Sequence, residues 1–300
     1  MFQLMNRPPV SSEVEKSPLY DPGNSHHSAL RSIYDEMRNR QRVAILEAGK
    51  MRSDPFFGGE NGTLRTDDSR RCLAISAIIS ESEANCHWSD AYHELQRRIS
   101  SEFSDVGLLY DADGGGSRGQ LHWTAMQLVG FADYDAKVGR DGGGLYSSPR
   151  YLGTVRDALA SGGMDSVLEI AYVGVICVAT GLLMIGVPVG PEGVDVNAAR
   201  DNLRRRLTDE ELPLDEPFVN DIVHSTLYRV VDGEERGGGE TKGPLHSRLL
   251  DIGREYENTY LGRVTIRNLQ VGPASWRMLN DEIKETPPFY KWSLSEPKGN

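Results

Sequence analysis

From Ile170 to Pro191 the chain reads IAYVGVICVATGLLMIGVPVGP, 22 residues without a charge. A run of that length can cross a bilayer as one helix, so it decides first whether the chain belongs in a membrane. Its composition points elsewhere. Val173, Val175, Ile176, Val178 and Thr180 are β-branched, Gly181 interrupts the middle and Pro188 lies near the end. β-Branched residues favour strands and a turn signal divides a long apolar run, so the stretch predicts two buried strands turning at Thr180-Gly181. Such a pair needs a large core around it, and 300 residues can supply one, as a single large domain or as two small ones.

The surface charge narrows the partners. With 44 acidic residues against 33 basic ones the formal net charge is −11, which repels a long nucleic-acid duplex. A nucleotide or a short RNA held in a local basic cleft remains compatible with that balance. Cys72, Cys86 and Cys177 are an odd number at no metal-like spacing, which suits a reducing compartment better than a disulfide framework. The opening MFQLMNRPPV has neither the basic flank nor the apolar core of a secretory signal. The expectation is a soluble, cytoplasmic monomer that requires no cofactor and does not bind membranes.

Along the chain, residues 1–27 are expected to be a disordered tail and 28–69 an N-terminal extension of helix and loop. The helix is predicted to be capped by Ser28, with Leu30, Ile33, Tyr34, Met37 and Ile45 on one stripe, and to end near Gly49. Triple glycines at 114–116, 142–144 and 237–239 mark flexible loops. Between the loops one pattern occurs twice: strand, helix, strand containing a histidine, helix. The first copy takes a strand at 71–79, a helix from Ser89, a strand around His122 and a helix at 150–160. The second takes the apolar pair near 167–188 and a helix capped by Asp195 with Val196, Ala199, Leu203 and Leu207 inward. The His224 strand follows, then a helix begun by Pro244 and a last strand at 263–271. The fold class is α+β: a duplicated αβ unit forming two pseudo-symmetric lobes, with residues 273–300 as a C-terminal extension.

The two histidine strands carry the chemistry. Successive strand side chains point to opposite faces, so in GQLHWTAMQLVGF (119–131) His122 and Thr124 share one side while Leu121, Trp123 and Ala125 share the other. VNDIVHSTLYRVV (219–231) repeats the arrangement with His224 and Thr226, and by the same parity brings Tyr228 to the histidine side and turns Arg229 away. His-x-Ser also occurs at His26 and His87, outside strand context; with threonine required only two sites remain, at matching places in the repeat.

HWTA at 122–125 and HSTL at 224–227 resemble the paired His-x-Thr-x signatures of the two-histidine (2H) phosphoesterase superfamily, over residues 70–272. The resemblance implies two lobes with antiparallel sheets around a central groove that holds both motifs. It also implies hydrolysis of a cyclic or 2′–5′ phosphodiester. Ser225, polar where the family prefers an apolar residue, and the small Ala125 depart from its pattern.

Two imidazoles with ordinary pKa values near 6.5 can serve as acid and base near neutrality without a metal. The hydroxyls of Thr124 and Thr226 can donate to non-bridging phosphate oxygens, and Tyr228 can flank a base or ribose. The cluster Arg204, Arg205, Arg206 reads as a solvated helix face. Two alternatives stay open: a hydrolase in which His122 and His224 hold a metal with Asp221 or another carboxylate, and a non-catalytic nucleotide- or RNA-binding protein that keeps the cleft.

Overall fold

A computed structural model describes residues 25–52, 71–79, 86–112, 118–139, 144–189, 194–217, 219–231, 243–275 and 278–296. The expected tail, up to residue 24, and the triple glycines at 114–116 and 237–239 lie outside these residues; of the third, Gly144 alone lies inside, opening a 3₁₀ turn at Gly144–Ser147.

The uncharged run is a hairpin: β6 (Leu168–Val178) and β7 (Gly181–Val189) pair antiparallel around Ala179 and Thr180. Gly181 is required there, because a Cβ on it would come within 2.0 Å of the Tyr228 carbonyl oxygen on the next strand. Both faces of the hairpin are covered, so its side chains are apolar throughout rather than alternating. One face, with Val173, Ile176, Ile185 and Val187, packs on Leu30 and Tyr34 of α1 (Ser25–Ala48); the other, with Ile170, Tyr172, Leu182 and Met184, joins the main core. Among the described residues no helix is long and apolar enough to cross a membrane.

Two sheets organise the rest. The first has the order β11 (Tyr290–Ser293), β10 (Asn268–Ser275), β1 (Arg71–Ile78), β5 (His122–Val129), antiparallel throughout. The second runs β2 (Cys86–Trp88), β9 (Gly262–Ile266), β6, β7, β8 (His224–Val230), β3 (Gly107–Asp111), β4 (Gly119–Gln120), with a parallel pair only at β3–β4. The α+β class read from the repeat stands, and the sheets are antiparallel as the resemblance implies, apart from the β3–β4 pair. The halves are also interlocked: β3 from the first half lies beside β8, and β10 from the second lies beside β1.

The helices form where caps and apolar stripes place them. Ser89 caps α2 (Asp90–Phe103) by accepting from the Tyr92 amide, and Tyr92, Leu95 and Ile99 are buried. Ser148 caps α4 (Pro149–Ser161), and the Asp195 carboxylate accepts from two amides at the start of α5 (Val196–Asp209). A short helix α3 (Tyr134–Lys137) follows β5, Pro244 precedes α6 (Leu245–Glu255), and α7 (Asn280–Glu285) follows β10.

Three boundaries differ from expectation. Helix α1 starts at Ser25, so Ser28 lies inside its first turn; His27, expected in the tail, is buried with Nε2 3.0 Å from the Pro188 carbonyl. The last predicted strand is two, β9 and β10, which leave Arg267 between them and enter different sheets. The alternation Val264, Ile266 breaks at Arg267-Asn268 before resuming at Leu269 and Val271, but local periodicity does not say that the two pieces take different partners. Finally, β11, from the expected C-terminal extension, adds an edge strand to the first sheet.

Candidate active site

The first motif sits where the chain passes from one sheet to the other. Gly119 and Gln120 pair with β3 in the second sheet, and from His122 onward the chain pairs with β1 in the first. Gln120 fastens this crossing: its buried amide donates to Ile79 O at 2.6 Å and to Ala112 O at 2.7 Å, tying the ends of β1 and β3 together. Trp123 and Ala125 are buried, while His122 and Thr124 are partly exposed on the opposite side. Nδ1 of His122 lies 3.0 Å from Gln120 O. A carbonyl only accepts, so Nδ1 carries the hydrogen and Nε2 of the neutral ring keeps its lone pair.

The second motif is less regular. β8 pairs Ile185 with His224, Met184 with Ser225 and Leu183 with Thr226, then Leu182 with Tyr228, which leaves Leu227 as the extra residue of a β-bulge. Ser225 faces the core, where its hydroxyl meets Tyr172 Oη at 2.5 Å, so the polar departure from the family pattern has a buried partner.

Beyond the bulge the parity reverses, and two expectations change with it. Tyr228, expected to flank a base, is buried: its hydroxyl donates to Phe103 O at 3.0 Å and its ring fills the space that a Cβ on Gly107 would occupy. Arg229, expected to point away, lies on the histidine side, donating to Thr226 Oγ1 at 3.3 Å and Thr180 Oγ1 at 3.0 Å. A signal for this existed in the sequence. Unbroken alternation would have put a guanidinium on the buried face with Ser225 and Leu227, which is costly without a partner.

The two motifs are neighbours: β5 and β8 touch across the seam between the sheets, and Arg229 acts electrostatically on both rings. Burial pushes His224 down to about 3, with Arg229, Arg200 and His122 adding to the shift. Burial also lowers His122, opposed by the Gln120 carbonyl and assisted by Arg229. Both imidazoles are therefore neutral at pH 7 in the ligand-free protein, rather than titrating near their ordinary value. A bound anion would favour protonation, because it offsets the Arg229 charge. Nδ1 of His224 is buried and has no hydrogen-bond partner among the described residues.

Arg200 escaped the sequence reading altogether. It is fully buried in α5, and its guanidinium donates to Ala125 O at 2.6 Å and to Ile222 O at 3.0 Å. It falls on the stripe of Val196, Leu203 and Leu207, and a charged residue at such a position was the available clue. The neighbouring Arg205 and Arg206 are exposed, near Asn202 and Glu210, whereas Arg204 is partly buried in a two-pronged pair with Glu216, so the solvated face covers only part of the cluster. Asp221, the carboxylate of the metal alternative, is exposed, and no group of three His, Cys, Asp or Glu placed to hold a metal ion occurs among the described residues.

No family model and no curated protein matches the chain. Solved structures do. The chain is similar to E. coli LigT complexed with 3′-AMP, at 13% identity and a TM-score of 0.38, over 76% of this chain and 100% of that one. It is also similar to the protein TT0787 of Thermus thermophilus, at 12% identity and a TM-score of 0.39 over the same shares. A phosphoesterase crystal structure aligns at 14% identity and a TM-score of 0.35, again over 76% and 100%. At these values the likenesses carry no weight for chemistry, and what the site can do follows from its own geometry.

Proposed function

We propose that the chain is a metal-independent phosphodiesterase of the two-histidine kind, hydrolysing a cyclic or 2′–5′ phosphodiester of a nucleotide or short RNA. One observation carries this reading: the strands that bear the two imidazoles, β5 and β8, touch, Arg229 acts electrostatically on both rings, and a threonine lies two residues beyond each histidine. Base, acid and anion-binding donors are the complement that phosphodiester cleavage needs.

We assign the two roles from the surroundings of the rings. The Gln120 carbonyl supports an N–H on His122, so the proton brought in with an anionic substrate rests there. His224 has no such acceptor and stays neutral, free to act as base. On a 2′,3′-cyclic phosphate, His224 takes a proton from water as its oxygen attacks phosphorus, and His122 gives its proton to the departing ribose oxygen. The protons have then changed rings, and exchange with solvent restores them. Arg229 and the two threonine hydroxyls hold the non-bridging oxygens. The net charge of −11 favours small substrates over long RNA.

Incubation with 2′,3′-cyclic nucleotides, 2′–5′ dinucleotides and short RNAs, in the presence of chelator, should yield products one water heavier than the substrate or split at the 2′–5′ bond. His122→Ala and His224→Ala should each lower kcat by about 10³-fold. Activity that appears only with added divalent metal would favour the metal-ligand reading. Binding without turnover, unchanged in both variants, would favour a non-catalytic nucleotide-binding protein.

A further inference from the structure

Residues 219–223 have no regular secondary structure, yet they deliver His224 to the sheet. Backbone polar groups in such a buried approach must find partners, and here the partners come from far along the chain. The Val223 amide donates to Tyr34 Oη at 3.1 Å, and the same hydroxyl reaches Gly186 O at 2.6 Å and Val223 O at 3.1 Å. Tyr34 is buried and belongs to α1, outside the span that resembles a two-histidine phosphoesterase. Asn197, on α5, donates to Asp221 O at 2.9 Å. Arg200, one turn further along that helix, holds Ile222 O with one nitrogen and Ala125 O with another. Ala125 directly follows Thr124 in the first motif, so this one side chain spans both histidine segments.

The chemistry of that link argues for geometry over stability. Arg200 is fully buried, its third contact is the neutral Asn197 Oδ1 at 2.8 Å, and burial lowers its pKa only to about 10, so it remains charged at neutral pH. A buried guanidinium with only neutral acceptors is a costly way to fill a core that an apolar residue would fill more cheaply. What the guanidinium offers is a planar fork with fixed donor directions, able to hold two carbonyls at a set separation.

We infer that Tyr34 of α1 and Arg200 of α5 are positioning residues, fixing where the segment entering His224 lies relative to the strand carrying His122. The inference rests on the reading of those histidines as an acid–base pair. Neither side chain touches substrate; each acts through the backbone around a catalytic group. The N-terminal helix is thereby part of the active-site scaffold.

The test uses the full chain and two variants that keep most of the packing. Tyr34→Phe removes one hydroxyl, and Arg200→Lys keeps the charge while losing the fork. Each should lower kcat by about 10- to 100-fold with KM changed by less than about threefold, since misplacement of about 1 Å costs rate more than binding. In the ligand-free protein the imidazole NMR resonances of His224 should move in both variants. In Tyr34→Phe those of His122 should stay in place. Wild-type kcat in both variants with unmoved His224 resonances would overturn the inference, as would full rescue of Arg200 by lysine. Should Arg200→Lys fail to fold, Tyr34→Phe decides alone. Displaced His224 resonances in a protein with no phosphodiesterase activity would sink the functional reading and leave the positioning role standing.

Discussion

The two histidine strands have similar sequences and different supports. His122 stands on β5, at the end of the first sheet, and is fastened by Gln120 two residues earlier, whose side chain ties two strands and whose carbonyl holds the ring. His224 stands on β8, between β7 and β3, with no partner for Nδ1 among the described residues; its approach is held by α1 and α5. The first motif is fastened mainly through its own Gln120, with Arg200 also holding the Ala125 carbonyl. The second is assembled from distant pieces, and its ring is the more strongly held neutral.

After the histidines themselves, the largest effect is expected from removing what the two motifs share. Arg229→Met should lower kcat by about 10²-fold, the usual loss of one charge-stabilising donor, and should raise the titration of both imidazoles, read by NMR. Tyr228→Phe is the matched control one residue away, expected to leave kcat unchanged because the hydroxyl is spent on Phe103 O. A reversed outcome would mean that the bulge at Leu227 does not set the facing of this strand.

Next comes the local brace of the first motif. Gln120→Leu would leave Ile79 O and Ala112 O without their amide donor, at about 1–3 kcal/mol each for a buried acceptor. Urea unfolding should show that loss, and the His122 resonances should move more than those of His224. Equal movement of both would mean that Gln120 braces the two motifs alike.

The effect expected to bear least on activity is a change in acid stability. The His224 pKa falls from 6.5 in the unfolded chain to about 3 in the folded one, so between those values the unfolded state binds more protons. Its contribution is present in full above pH 6.5 and is lost as pH falls toward 3. Thermal unfolding followed across that window should be less pH-dependent in His224→Asn than in the wild type. An unchanged slope would mean that His224 titrates in the folded protein close to its unfolded value.

Much of this was legible in local chemistry. The β-branched residues around Thr180-Gly181 marked a hairpin, and Ser89 and Asp195 marked helix starts. Alternation put His122 and Thr124 on one face and Trp123 on the other. The place of the bulge was not legible, beyond the indirect sign of a guanidinium that unbroken alternation would bury, because adding one residue to a strand leaves composition and propensity untouched and shows only against the register of the neighbour. Tyr228 and Arg229 were misplaced for that reason alone. The division of the last strand into β9 and β10 failed to register likewise, since both pieces alternate as strands and which sheet each joins is decided by its partners.

By itself, then, the amino-acid order determined which segments are strands and helices, which faces are apolar, and that two His-x-Thr pairs occupy matching places in a repeat. These depend on interactions within a few residues. Tertiary structure decided that the rings are neutral, that Arg229 rather than Tyr228 faces them, and that Tyr34 and Arg200 hold the second one in place. Those outcomes depend on desolvation, strand register and hydrogen bonds between residues as far apart as Tyr34 and Val223, and no local pattern encodes such distances.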